Sequence, residues 1–490
     1  MTDHLVEATR PFIAPEWRAL AERDPGETAI AHSDGLVSVG ELESAARRLA
    51  ATLLEAGVQP GDRVVVALPT SPRFVATYLA IRHCGAVFVN APWQWRRELV
   101  AVADETGART VLLASQAAGD AALRPLHSRA LVDTPASGRT VVGKPVVRDR
   151  DAPAWIAYSS GTTGAPKGAV HSELTLGVIP DGFIGRYGIG PRDAVLVAAP
   201  VGHAVGFIYG VQLALRARCP MVLLRRWDAA EAMALTQRHR CTFTAAPTPL
   251  LLDAVELGER AGPEAFATLR FFLSGGSSVP GSLLTRARKA LPSTETSSYY
   301  GTSECGGVTS WPPGTDAAAI LAGEGLPLPG MEVACAGGEL MVRGVQMATG
   351  YVGRDIAGRF RDDGWYSTGD RATIDVNGSL RLVGRVHDVI RRGGVDVAPA
   401  EVEEVLGEHP HVRDVAVFGV ADQRLGARVA AVIVPVAGAP SLEELRAHCD
   451  RHGLAKVKWP ERAAFLDRLP RSPTGKLDRG SLIELFGSGP

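Results

Sequence analysis

The segments Asp62-Arg63-Val64-Val65-Val66-Ala67-Leu68-Pro69, Phe74-Val75-Ala76-Thr77-Tyr78-Leu79-Ala80-Ile81-Arg82-His83-Cys84 and Gly85-Ala86-Val87-Phe88-Val89 follow one another closely in this chain. The first is a short apolar run closed by a turn, the mark of a buried strand. The second carries apolar residues at helical spacing, and the third is again a strand. Strand–helix–strand order at this spacing implies right-handed βαβ units and a mostly parallel sheet. Upstream, Val39–Ala56 has the helical period and stops at Gly57. Downstream the rhythm returns over Ala194–Leu224 and Thr242–Leu273, and Glu324–Leu382 reads as short, Gly-rich strands of a smaller β-structured unit. Beyond Gly384 charge becomes dense. A helix (Ala400–Leu406), two strands (Val412–Val420, Ala427–Val434), a helix (Leu442–His452) and a loop-rich tail around Pro470–Lys476 are expected there. The fold class is α/β, with a separate α+β unit of ordinary domain size at residues 385–490.

The chain has 490 residues, which calls for two or three folding units. Hydrophobic residues make up 46% and charged residues 21%, the composition of a globular protein and not of a disordered one. Lys plus Arg is 52 and Asp plus Glu 53, a net charge of −1, so the chain lacks the basic excess that gripping nucleic acid or an anionic membrane requires. The six cysteines (Cys84, Cys219, Cys241, Cys305, Cys335, Cys449) are dispersed and read as reduced, mostly packed thiols. Met1-Thr2-Asp3-His4 lacks the basic and apolar regions of a secretory signal, and the expected location is the cytoplasm. Ala194–Leu215 contains no Lys, Arg, Asp or Glu, but Pro200, Gly202, His203, Gly206 and Gly210 interrupt it. It reads as a buried strand (Ala194–Ala199), a turn and a core helix from about Phe207, with no membrane span.

Chemistry concentrates first in Tyr158-Ser159-Ser160-Gly161-Thr162-Thr163-Gly164-Ala165-Pro166-Lys167-Gly168. Its glycines permit tight or left-handed backbone, its hydroxyls offer donors and its lysine adds positive charge. Such a loop can wrap polyphosphate with backbone N–H groups and hydroxyls. It is not a Walker A loop, because G-x-x-x-x-G-K-[ST] is absent. A flexible linker of the same composition is the plain competing reading, disfavoured by the apolar run directly before it and the fixed Lys.

The loop resembles the phosphate-binding signature of the adenylate-forming superfamily: acyl- and aryl-CoA synthetases, peptide-synthetase adenylation domains and firefly luciferase. Further motifs match in the family's order. They are Tyr300-Gly301-Thr302-Ser303-Glu304, Gly338-Glu339-Leu340 through Gly350-Tyr351, Ser367-Thr368-Gly369-Asp370, Gly384-Arg385-Val386-His387-Asp388 with Gly393-Gly394 and Pro399-Ala400-Glu401, and Pro473-Thr474-Gly475-Lys476-Leu477-Asp478-Arg479. The resemblance spans nearly the whole chain. It implies a large multi-sheet N-terminal domain (residues 1–384) that binds ATP and the acyl group, and a mobile C-terminal domain (385–490) that carries the adenylation lysine.

By this resemblance Ser159, Ser160, Gly161, Thr162, Thr163, Gly164 and Lys167 hold phosphate. Gly276, Ser277, Tyr300, Gly301, Thr302 and Ser303 line the nucleotide, with Tyr300 stacking on adenine. Asp370 accepts the ribose hydroxyls, Arg385 is a second ribose or phosphate contact, and Glu304 holds Mg²⁺, a hard cation suited to carboxylate and phosphate oxygens. Lys476 bridges the carboxylate and the α-phosphate, and Lys167, Glu304 and Lys476 form the catalytic set. Gly393 and Gly394 meet the CoA pantetheine after the C-terminal domain turns about a hinge at His387. Two residues depart from the family pattern: Ser303 stands where Thr is usual, and His387 where Asp or Lys is usual. A hinge need only absorb φ/ψ change, so His can serve.

The acyl pocket implied by the resemblance is His203, Ala204, Val205, Phe207, Ser274, Gly275 and Tyr299. Amino-acid-activating relatives place an Asp near position 203; here Ala199–Phe207 has no acid, and a buried ammonium would lack a partner at a cost of several kcal/mol. The expected substrate is therefore an aromatic, cyclic or medium-length carboxylic acid without an α-amine, joined to CoA at the expense of ATP. Two alternatives remain. One is a stand-alone ligase that loads a carrier-protein phosphopantetheine, or that only adenylates and leaves thiolation to a partner. The other is a catalytically silent nucleotide-binding regulator, disfavoured by the intact Lys167, Glu304, Asp370 and Lys476. No nucleic-acid partner is expected, and the oligomeric state is open between monomer and homodimer.

Overall fold

The computed structural model describes residues 13–117, 119–132, 139–141, 143–160, 166–276, 279–353, 359–386, 388–436, 438–471 and 477–487. The first long helix, Val39–Glu55, starts at a capping box. Ser38 Oγ accepts from the Glu41 N–H (3.2 Å), and the Glu41 carboxylate accepts from the Ser38 N–H (2.8 Å). Val39, Leu42, Ala46, Leu49, Ala50 and Leu53 form its buried stripe. The strand Arg63–Ala67, the helix Pro72–His83 (capped by Ser71, with Pro72 in its first turn) and the strand Val87–Asn90 complete the expected βαβ unit. Its strands pair in parallel, Val64 with Phe88 and Val65 with Val89.

Four sheets organise the described residues. A seven-stranded sheet runs in spatial order Gly350–Tyr351, Pro166–Ser172, Pro153–Ser160, Val87–Asn90, Arg63–Ala67, Thr110–Leu113 and Ala130–Val132. A nine-stranded sheet includes the parallel strands Glu295–Thr302, Phe271–Ser274, Phe243–Ala246, Val195–Val197 and Met221–Leu223. One continuous core, with Ile30, Phe88, Trp155, Val197, Phe207 and Phe243 in it, joins residues of both sheets. The expected Gly-rich β unit is a four-stranded antiparallel sheet of Met331–Ala336, Glu339–Gly344, Tyr366–Ile374 and Leu380–Arg385. The fourth sheet, formed by Val395–Val397, Ile390–Arg392, Gly426–Pro435, Val412–Asp422 and Arg462–Phe465, has its own core around Val402, Leu406, Val417 and Leu445. The helix Pro399–Gly407 lies between this sheet and the rest of the chain: its Glu404 accepts from Arg381 (3.0 Å), and Arg413 beyond it donates to Glu256 through two bonds of 2.6 and 2.7 Å.

One local expectation is corrected. The helix after the turn at Pro200 starts at Val205 rather than Phe207, and it is a π-helix over Val205–Gln212 before continuing as Leu213–Ala217. This helix packs closely on the segment before it. A Cβ on Gly206 would lie 2.4 Å from the Ala199 and Pro200 carbonyl oxygens, and one on Gly210 would lie 2.7 Å from Val197. Among the described residues no helix is long and apolar enough to cross a membrane. The six cysteines are unpaired, with Cys335 exposed and the other five buried.

Between the large sheets, Arg82 on Pro72–His83 donates to the Glu173 carboxylate and to the Ala86 carbonyl (2.8 Å). Both charged side chains are almost fully buried, at 6% and 2% exposure. Arg82→Met keeps the stem and removes the charge, stranding a buried carboxylate; it should cost about 3–5 kcal/mol. The double variant Arg82→Met/Glu173→Leu should recover most of that loss. Denaturant midpoints of the three proteins check both outcomes.

Candidate functional site

Strands Pro153–Ser160 and Pro166–Ser172 form an antiparallel hairpin in which Tyr158 pairs with Gly168, Ser159 with Lys167 and Ser160 with Pro166. The described ends of the Gly/Ser/Thr-rich segment, Ser159 and Lys167, are thus cross-strand partners in a hydrogen-bonded hairpin. A Cβ on Gly168 would meet the Tyr158 ring at 2.7 Å, so the backbone lies flush on that ring, whose hydroxyl donates to Glu105 (2.7 Å). Ser159 and Lys167 line a cleft of about 2280 Å³. Gly161, Thr162, Thr163, Gly164, Ser277, His387 and Lys476 lie outside the described residues, as does the side chain of Ser160.

The strand Glu295–Thr302 delivers Tyr299, Tyr300, Gly301 and Thr302 to the same cleft, followed by Ser303 and Glu304. Gly301 sits at a register shift opposite Gly306–Gly307, where a Cβ would lie 2.2 Å from the Gly306 carbonyl oxygen. His171 Nε2 is 2.8 Å from the Ser303 carbonyl oxygen and its ring stacks on Trp155 (4.7 Å, 23°). Burial pushes the His171 imidazole down to about 4, so the ring is neutral at pH 7 and donates to that carbonyl. Tyr351, from the edge strand of the seven-stranded sheet, donates to Glu304 Oε1 (2.6 Å), and its oxygen lies 3.0 Å from the Tyr366 hydroxyl. Glu304 is therefore held from both sides, by its own backbone neighbour and through its carboxylate.

These donors suit a hard cation shared with phosphate. Among the described residues no three or more His, Cys, Asp or Glu side chains gather to cage a metal. Mg²⁺ takes one or two carboxylates and completes its shell with phosphate oxygens and water, which is what the half-buried Glu304 carboxylate offers.

Asp370 and Arg385 are cross-strand partners in the four-stranded sheet, next to a register shift. Arg385 Nε lies 3.3 Å from Asp370 Oδ1, and the Tyr300 hydroxyl donates to Asp370 Oδ2 (2.7 Å). Gly369, at φ 77°, lies inside the strand Tyr366–Ile374 where its pairing with Glu339–Gly344 shifts register; its N–H donates to Glu339 (2.9 Å). The cleft wall thus brings together Ser159, Lys167, Tyr300, Gly301, Thr302, Ser303, Glu304, Asp370, Arg385 and Gly276.

At the other end Trp155, His203, Ala204, Val205, Ile208, Tyr209 and Tyr299 line the cleft. Three expected pocket residues do not reach it. Phe207 is fully buried behind the wall, packed against Phe74, Tyr78, Phe88 and Trp155 at centroid distances of 4.9–6.4 Å. Ser274 is fully buried, and Gly275 lies flat on the Tyr299 ring, which a Cβ would meet at 2.6 Å. Sequence reasoning missed Trp155, Ile208, Tyr209, His171 and the role of Tyr351. Only Tyr351 carried a signal, as the end of a quoted motif.

On the C-terminal side, Arg471, Leu477 and Asp478 line the cleft. Gly393 and Gly394 do not: they make the two-residue turn of the hairpin Ile390–Arg392/Val395–Val397, with φ of 56° and 85° as a type I′ turn needs.

A family model described as "AMP-binding enzyme" matches residues 17–352, and one described as "AMP-binding enzyme C-terminal domain" matches residues 401–476. The medium-chain fatty-acid–CoA ligase of Escherichia coli is 28% identical over 507 residues, 95% of this chain and 89% of that protein. A Mycobacterium tuberculosis CoA ligase named for a methyl-dioxo-octahydroindenyl propanoyl group is 30% identical over 493 residues, 95% of this chain and 97% of that protein. The crystal structure of ATP-bound MatB from Rhodopseudomonas palustris superposes with a TM-score of 0.88 at 26% identity, over 97% of this chain and 99% of that one.

The cleft also contains a misplaced acid. Glu324, half-buried, accepts from the Leu382 N–H (2.7 Å), and burial pushes its carboxyl up to about 7 against the opposing pull of Leu382 and Arg381. A raised carboxyl holds its proton in the folded state after the unfolded chain has lost it, so its effect on stability turns unfavourable as pH rises from about 4.5 through 7. Glu324→Gln should therefore gain stability relative to the parent between pH 5 and pH 8, by about 1–2 kcal/mol. Denaturation at the two pH values checks the sign.

Proposed function

The chain belongs to the AMP-binding enzyme family, and on that premise we propose that it is an ATP-dependent acid–thiol ligase, an acyl- or aryl-CoA synthetase. The carboxylate and ATP give an acyl-adenylate and pyrophosphate; a thiol then displaces AMP. The observation that carries this reading is the continuity of one cleft. Its polar wall (Lys167, Glu304, Asp370, Arg385) runs directly into an apolar end formed by Trp155, Val205, Ile208, Tyr209 and Tyr299.

Adenylation brings an anion against a polyanion, so positive charge and oriented donors must cancel the repulsion. In this proposal Lys167 and the Gly/Ser/Thr-rich segment before it hold the phosphates, and Lys476 stands between the carboxylate and the α-phosphate. Asp370 takes the ribose hydroxyls, with Tyr300 and Arg385 fixing its orientation. Glu304 would hold Mg²⁺, which neutralises phosphate charge when bound; Tyr351 and His171 keep the carboxylate and its backbone in place. A boundary at Gly384 separates the lobe that binds both substrates from the lobe that brings Lys476. Arg471 and Leu477 border the cleft while Gly393 and Gly394 do not, which supports reading this arrangement as the adenylation orientation. A turn about His387 would bring the glycine pair to the pantetheine.

The described cleft residues between Ala199 and Tyr209 include no carboxylate, so the acid lacks an α-amine. The relatives support the same class, since they are named for a fatty acid and for an alicyclic propanoate. CoA is the proposed acceptor and the cytoplasm the proposed location, with a carrier protein as the second reading for the thiol and the oligomer open between monomer and homodimer.

Pyrophosphate release over a panel of aliphatic, aromatic and alicyclic acids, followed by addition of CoA or of a carrier protein, tests the proposal; no acid-dependent release would end it. Lys476→Ala should cut adenylation by about a hundredfold or more while thiolysis of a supplied acyl-adenylate continues. Equal loss in both half-reactions would remove the role given to that lysine. His387→Pro should slow thioester formation more than adenylation, because proline fixes φ at the hinge; unchanged rates in both would move the hinge elsewhere.

A further inference from the structure

Arg471 and Leu477, the described residues on either side of 472–476, form an antiparallel bridge. Arg471 Nη2 donates to Asp414 (2.8 Å), near the start of the strand Val412–Asp422. The residue before it, Arg413, reaches out of the C-terminal sheet and donates to both oxygens of Glu256, at 2.6 and 2.7 Å, on the helix Thr248–Ala261 that covers the nine-stranded sheet. A fork of this geometry constrains direction as well as distance, which a lone lysine contact would not do. Glu256 is 19% exposed, Asp414 27% and Arg471 21%, while Arg413 is 39% exposed, so water screens the Arg471–Asp414 link less than it does the Arg413–Glu256 pair. A second tie, Arg381 to Glu404, lies farther along the same face.

We propose that Glu256 and Arg413, through Asp414 and Arg471, are positioning residues for adenylation: they set the C-terminal lobe so that Arg471 and Leu477, on either side of the stretch that contains Lys476 in the sequence, border the cleft. The inference rests on the ligase reading for its chemistry but not for its geometry. The row crosses the lobe boundary at one ion pair only, Arg413 with Glu256, and the remaining links stay within the C-terminal lobe. Breaking that pair therefore loosens the orientation, leaving the Arg381–Glu404 and Arg371–Asp396 pairs across the boundary, without dismantling the lobe. Rotation toward thioester formation must break it in any case, so the pair favours one half-reaction alone.

The test is a charge swap. Glu256→Arg and Arg413→Glu each should lower acid-dependent pyrophosphate release about tenfold, and neither should slow thiolysis of a supplied acyl-adenylate. The double variant should return to within about threefold of the parent, because the pair is rebuilt with its signs exchanged. Potassium chloride at about 0.5 M should narrow the gap between parent and single variants. Equal losses in both half-reactions, unchanged pyrophosphate release, or a double variant no better than the singles would overturn the proposal. Small-angle scattering separates this from the ligase reading. If no acid supports pyrophosphate release in the parent, that reading fails, and the radius of gyration still decides the present one. A larger value in each single variant, restored in the double, supports it; one value for all four proteins sinks it.

Discussion

The aromatic packing around Phe207 governs more of this structure than any single polar contact. Phe74, Tyr78 and Phe88 close on its ring from the seven-stranded sheet and its crossover helix, while Phe207 itself comes from the π-helix against the nine-stranded sheet. Trp155 joins the same cluster, with its indole N–H donating to Asn90 (2.7 Å), and presents its other face to His171. His171 in turn donates to the carbonyl of Ser303, whose neighbour Glu304 enters the cleft. A line of close packing thus runs from the deepest hydrocarbon of the protein to the carboxylate assigned to the metal. Tight interiors transmit displacement, so the position of Glu304 depends on the size of side chains that never touch a ligand.

The cleft separates two kinds of work. Its polar wall is assembled from three sheets, and each contribution sits at an end or irregularity of a strand: the end of the hairpin at Ser159 and Lys167, the register shift at Gly301 and the register shift beside Gly369. Regular strands would carry these groups past one another, and the irregular ends turn them inward. The apolar wall is simpler, drawn mainly from Pro200–Tyr209, and its close contact with the strand beneath depends on Gly206 and Gly210.

Much of this architecture was legible in the sequence because the signals were local. The period of Val39–Ala56 and the apolar run at Val64–Ala67 each answer to neighbours within a few residues. The Tyr300–Glu304, Asp370 and Arg385 motifs were also legible, through resemblance, and the structure brings them to one wall. What escaped depended on distance in the chain. Tyr351 finds Glu304 across 47 residues and His171 finds Ser303 across 132, pairings that no local pattern encodes. Phe207 was misplaced for a different reason: an aromatic beside a pocket loop fits lining and backing equally well, and the three-dimensional fit of four other rings decided between them. The π-helix escaped because its extra residue per turn blurs the 3.6 period.

Tyr299 and Tyr300 stand side by side in one strand, one against the apolar wall with Phe183 and Tyr209, the other bonded to Asp370. Strand geometry sends consecutive residues to opposite sides, so a single backbone alternation serves the apolar and the polar wall at once. Loss or gain of one amino acid upstream in that strand would exchange the two rings and disturb both walls together. The segment can thus drift by substitution but not by changes in length.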